Sequence, residues 1–151
     1  MMGGGQGQLQ QLSQELQLLD QEIESLEEEI EGYREEQTGI DEAVKAIETL
    51  ESGSTVQVPL GGGAYVRAEV ADIDEIIVSL GGNYAAEQEQ DDAIDVLRRK
   101  REALDDRIEE TQSDVAELES ESDQIEQQAQ QMQQQMQQQQ MQQLQEQADD
   151  E

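Results

Sequence analysis

The stretch VQVPLGGGAYVRAEVADIDEIIVSL, residues 56–80, decides how this chain folds. It alone has strand character, with apolar and β-branched residues in short runs broken by glycines and by an aspartate-rich step. Long helical patterns lie on either side. The predicted order is helix, small β insert, helix, so the chain runs out, turns through a sheet and comes back. Val56, Val58 and Leu60 alternate as a first strand, with Pro59 at an edge or strand end because it lacks a backbone donor. Gly61-Gly62-Gly63 is a hairpin turn, where positive φ costs glycine little. A second strand returns from Tyr65 or Val66 to Val70, and residues 71–74 turn again. A third strand covers 75–80, and Gly81-Gly82-Asn83 leads into a short fourth strand at 84–87. Two hairpins in succession make a sheet that is marginal alone, and its unpaired edges invite other subunits.

Upstream, apolar residues recur in alternating steps of three and four: Leu9, Leu12, Leu16, Leu19, Ile23, Leu26, Ile30 and Tyr33, then Gln37, Ile40, Val44 and Ile47. Such a heptad seam predicts a coiled-coil helix over 9–51, about 63 Å long at about 1.5 Å per residue. Gly32 and Gly39 each weaken it by about 1 kcal/mol relative to Ala. Gly39 follows Thr38, so a kink there and simple tolerance on an exposed face are both compatible with the sequence. Residues 1–8 are glycine-rich and expected to be flexible. Glu51-Ser52-Gly53-Ser54 stops the helix with cap and turn residues.

Downstream, Asp91-Asp92 suits a helix N-terminus. The second seam reads Ile94, Leu97, Arg101, Leu104, Ile108, Thr111, Val115, Leu118, Ser122, Ile125, Ala129, Met132 and Met136, giving a helix over 88–136. Beyond Met136 the phase is lost, and 137–151 is a Gln-rich acidic tail compatible with helix or disorder. Folding the helices antiparallel sets Ile47 against Leu97, Leu26 against Leu118 and Leu12 against Met132, so apolar meets apolar at most layers. Gln37, Arg101 and Ser122 are the polar exceptions, of the kind that fixes register at some expense in stability. The fold class is therefore α+β: a long antiparallel two-helix coiled coil with a small two-hairpin insert at the bend. Its free end leaves Leu9, Leu12, Met132 and Met136 uncovered, as an adaptable apolar surface or as seam filler at a frayed end.

Composition narrows the function. The net charge of −30 repels nucleic acid and anionic membrane surfaces, and it suits a protein working at very high salt, where screening shrinks to about 3 Å at 1 M. Hydrophobic residues are 34% of the chain, and Phe, Trp and Cys are absent, so the apolar content must lie along narrow seams. The sequence shows no signal peptide, and no stretch approaches the roughly 20 apolar residues of a membrane span, which points to the cytoplasm. With neither His nor Cys, Ser/His and Cys/His nucleophiles and common zinc sites are excluded. The triple glycine lacks the Lys and Ser/Thr of a phosphate loop, and Asp72, Asp74 and Glu75 form at most half a calcium loop. No catalytic, cofactor or metal residue emerges, and an enzyme is not expected.

The block VPLGGGAYVRAEVADIDEIIVSLGGNYAAE, residues 58–87, resembles the two-hairpin insert of the archaeal prefoldin α subunits almost position for position, and the acidity resembles haloarchaeal proteins. The resemblance implies that two such subunits join four smaller β subunits in a hexamer. Hairpins at 52–87 would build its platform through Val56, Val58, Val66, Val70, Ile76, Ile77 and Val78. It implies that Leu9, Leu12, Met132 and Met136 contact non-native protein, which passes without nucleotide to a group II chaperonin. A structural coiled-coil tether that self-associates through its β edges is the alternative that the residues leave open.

Overall fold

The computed structural model of this chain describes residues 3–149. In order it contains helix α1 (Gly3–Thr49), strands β1 (Thr55–Gly61), β2 (Ala64–Glu69), β3 (Ile76–Gly81) and β4 (Tyr84–Gln88), and helix α2 (Gln90–Asp149). Two long helices thus flank two antiparallel hairpins, as expected. The chain divides into two compact units: Glu31–Ile108, which holds the hairpins, and the residues up to Ile30 together with those from Glu109 onward.

Each seam position read from the heptads, through Met136, is buried or half-buried, while most residues between them are exposed. The helix is unbroken at Gly32 and Gly39, and a Cβ at either would meet nothing within 4 Å, so tolerance on an open face is the outcome. Two boundaries differ from expectation. The glycine-rich run expected to be flexible is helical from Gly3, with residues 1 and 2 outside the described part. The Met136 Sδ lies 3.1 Å from where a Cβ of Gly5 would stand, so a residue without a side chain lets the thioether close that layer. Helix α2 likewise passes Met136 and continues to Asp149. Gln, Glu, Met, Leu and Ala are good helix formers, and no Gly or Pro interrupts 137–149, so the helix outlasts its apolar seam.

The hairpins repeat one design. In β1–β2, Val58 pairs with Val66 and Pro59 with Tyr65, and the register then shifts so that Gly61 faces Ala64. In β3–β4, Val78 pairs with Ala86 and Ser79 with Ala85, and the same shift sets Gly81 against Tyr84. Each turn carries three consecutive positive φ values, over Gly61, Gly62 and Gly63 and over Gly81, Gly82 and Asn83. Asn83 is the single non-glycine, a residue type that tolerates this region. No strand links the two hairpins, so they form two separate two-stranded sheets.

The hairpins differ in what lies beneath them. On β3, Val78 packs with Ala93 and Leu97 of α2, and Ile40, Ala43, Val44, Ile47, Ile76 and Val96 close around this cluster. No residue of β1 or β2 joins it. The first hairpin is instead tied at its base by backbone bonds between Gly53 and Val70 and between Val70 and Ser54.

Long-range hydrogen bonds finish the helix ends. The Gln90 Nε2 donates to the carbonyls of Ile47 at 2.7 Å and Leu50 at 3.2 Å, satisfying acceptors orphaned at the end of α1. The Gln90 N–H in turn donates to Asp74 Oδ1 at 3.3 Å. The cap on α2 therefore comes from the loop between the hairpins, while Asp91 and Asp92 sit in the first turn, where carboxylates suit the helix dipole.

Gln37 forms a buried polar layer in the seam. Its Nε2 donates to the Arg101 carbonyl at 3.2 Å and to Asp105 Oδ1 at 2.6 Å. Arg101 Nε donates to Asp41 at 2.9 Å, and its guanidinium also lies 3.6 Å from Asp105. A layer with so many angular requirements is satisfied in one register. Gln37→Ala should cost about 1–2 kcal/mol, because it removes a charge-assisted bond. Gln37→Leu should hold or raise the melting temperature while adding extra amide resonances, as the helices sample a second register. Calorimetry with an amide NMR spectrum checks both.

Candidate functional site

On β3, alternate side chains point to opposite faces. Ile76 and Val78 face the helices, and Val78 is only 5% exposed. Ile77 faces away and is 70% exposed, opposite Glu87 on β4. The seven residues expected to serve assembly therefore separate. Val58, Val66 and Ile77 are open to solvent, Val56 and Val70 are half-buried, and Ile76 and Val78 already belong to the core of this chain. The separation has a simple cause. A run of three apolar residues on a strand must place the middle one opposite its neighbours, and the helix pair took the outer two.

Three exposed apolar residues extend this surface beyond those expected: Leu60 and Tyr65 on the first hairpin and Tyr84 on the second, while the exposed Leu80 is in phase with Ile76 and Val78 on the helix-facing side. The signal was present in the strand alternation, which placed Leu60 in phase with Val56 and Val58. Each hairpin thus presents an exposed tyrosine beside its glycine turn. Such aromatic and aliphatic surface left in water is the kind that protein interfaces cover.

In the other unit, Leu9, Leu12, Met132 and Met136 are all half-buried along the seam, so each keeps part of its surface in solvent. Further along α2, Met141 and Leu144 are 69% and 66% exposed. These two continue the run of apolar residues on α2 beyond the seam. Leu18, one position off the seam beside Leu19, is also exposed. The sequence shows it only as the first of two adjacent leucines.

The aspartates between the hairpins act as turn formers. Asp72 Oδ1 accepts from the Asp74 N–H at 2.9 Å, and Asp74 caps α2. Ser52 Oγ accepts from the Ile73 N–H at 3.0 Å, which joins this loop to the one after α1. Among the described residues no helix is long and apolar enough to cross a membrane.

Two long helices with matched heptad seams, joined through twin hairpins whose outer surfaces are apolar, define a subunit of the prefoldin type. The match to the prefoldin subunit family covers residues 19–149, and the chain belongs to that family. It is similar to the prefoldin subunit alpha of Halorubrum lacusprofundi, 80% identical over 112 residues that make up 74% of each chain. The corresponding protein of Haloarcula marismortui is 62% identical over 111 residues, covering 74% of this chain and 72% of that one. Among solved structures, a filamentous prefoldin from Methanocaldococcus jannaschii has the same fold, with a TM-score of 0.51 and 26% identity over 78% of this chain and 93% of that one. Prefoldin is a chaperone family rather than an enzyme family.

Proposed function

We propose that this chain is the α-type subunit of an ATP-independent chaperone in the cytoplasm, assembled as two α and four β subunits. It captures non-native protein on its helix pair and hands it to a group II chaperonin. The observation that carries the reading is the pair of hairpins whose outer apolar residues, Ile77, Leu60, Tyr65 and Tyr84 among them, stand in water. A hairpin of two strands is marginal alone, and covering this surface against other subunits supplies what it lacks. For capture, the reading rests on Leu9, Leu12, Met132 and Met136, half-exposed on the seam, with Met141 and Leu144 as added contacts. Several weak apolar contacts per particle hold an unfolded chain by multivalency without one tight pocket. The charge of −30 keeps particles apart while clients are held.

Mixing the purified chain with a β-type partner in molar salt tests this reading. A hexamer by light scattering, together with suppressed aggregation of an unfolded client, is expected. A particle no larger than a dimer that gives no protection overturns it. One comparison favours a second reading, in which the hairpins of like chains join end to end, since the similar Methanocaldococcus jannaschii protein is filamentous. Mass that grows with concentration in the absence of a partner would mark that behaviour.

A further inference from the structure

A groove of about 710 Å³ lies beneath the β3–β4 turn, entirely within the unit 31–108. Ile40, Leu97 and Leu104 supply apolar walls, and Leu80 of β3 lines it as well. Gly39 lines it too, and a Cβ there would meet nothing within 4 Å, so the missing side chain leaves the wall open.

The charge at this groove runs against the rest of the chain. Lys and Arg total eight in a chain of net charge −30, yet Arg98, Arg99, Lys100, Arg101 and Arg107 fall within ten positions of α2. Arg98 and Arg101 lie against the carboxylates of Glu48, Asp41 and Asp105. Lys100 and Arg107 line the groove. The Lys100 Nζ donates to the Ser79 carbonyl at 2.8 Å, which positions the ammonium without neutralising it. Arg107 stacks over Tyr33 at 5.9 Å. Glu36 is the one acid among the lining residues.

We infer that this groove docks a short segment of a partner protein in which an aliphatic side chain is flanked by Asp or Glu. The aliphatic group would enter beside Gly39 and Leu97, and the carboxylate would meet the Lys100 ammonium in a charge-assisted bond. The groove lies on the helix-facing side of β3, the side away from Ile77.

The probe is a fluorescein-labelled Asp-Leu-Glu-Leu-Asp peptide, read by anisotropy with the full chain at fixed salt. Controls replace Leu by Ser, or the acids by Lys. Gly39→Met fills the groove while improving the helix, so loss of binding cannot be laid to unfolding. Lys100→Gln keeps a donor for the Ser79 carbonyl and removes only the charge. The expected results are binding of the acidic leucine peptide over both controls, its loss in Gly39→Met, and weakening by about tenfold in Lys100→Gln. Unchanged binding in both variants overturns the inference, since the peptide would then sit elsewhere. So does a Gly39→Met chain that no longer assembles with a β-type partner, because the groove would then be a subunit contact. Aggregation suppression measured on the same variants reports separately on the chaperone reading.

Discussion

Ile77→Lys is expected to abolish assembly while leaving the isolated chain folded. Ile77 is 70% exposed on the outer face of β3, so the monomer loses almost no packing when it changes. Lysine also faces Glu87 directly across the ladder, an opposite-charge pairing that supports the hairpin. Surface changes of this kind usually stay within about 0.5 kcal/mol of neutral for the fold. The assembled state is different. Covering Ile77 against a neighbour is worth about 1.5–3 kcal/mol, and an ammonium buried there adds several more on the unfavourable side. A loss of about 4 kcal/mol at one contact weakens it about a thousandfold. Light scattering should show a small particle, and circular dichroism an unaltered helix content. Val78→Lys, one position along, is the contrast. Its carbon atoms are buried against Ala93 and Leu97, so the charge should disrupt the hairpin base within the single chain, visible as a lower melting temperature. If the Ile77 variant still assembles, the outer face of β3 takes no part in the platform.

The second large effect concerns client capture. Changing Leu9, Leu12, Met132 and Met136 together to Ser should cut suppression of aggregation by about tenfold, since each arm loses several apolar contacts and multivalent binding amplifies the loss. These side chains are half-buried in the seam, so the variant also loosens the local helix pair. Met141→Ser with Leu144→Ser separates the two causes. Both are largely exposed, so the double variant should melt close to the parent while capture falls about two- to threefold. The hairpins are untouched in either case, and the particle mass should hold. Capture unchanged in both variants would place client contact elsewhere on the chain. Loss of assembly in the four-site variant would mean that these residues serve the platform.

Much of this architecture was legible because heptad periodicity is a local property. Three-four spacing marks one stripe on a helix wherever the helix sits, and the seam was placed correctly as far as Met136 from the sequence alone. The twin turns were legible for a similar reason: Gly61-Gly62-Gly63 and Gly81-Gly82-Asn83 are the residue types that accept consecutive positive φ. The sequence therefore determined the order of elements, the stripe each helix buries and the places where the strands reverse.

Tertiary structure decided the matters that depend on residues far apart in the chain. Strand alternation separates Ile77 from Ile76 and Val78, but only the apolar stripe of α2, with Ala93 and Leu97, selects which face turns inward. The cap on α2 comes from Asp74, sixteen positions before Gln90, because the loop between the hairpins happens to arrive there. Gly5 lies in the helix with the Met136 Sδ 3.1 Å from where its Cβ would stand, a contact that no local propensity could have shown. Local preference sets what each segment can become, and burial against a distant partner selects among the faces and ends it offers.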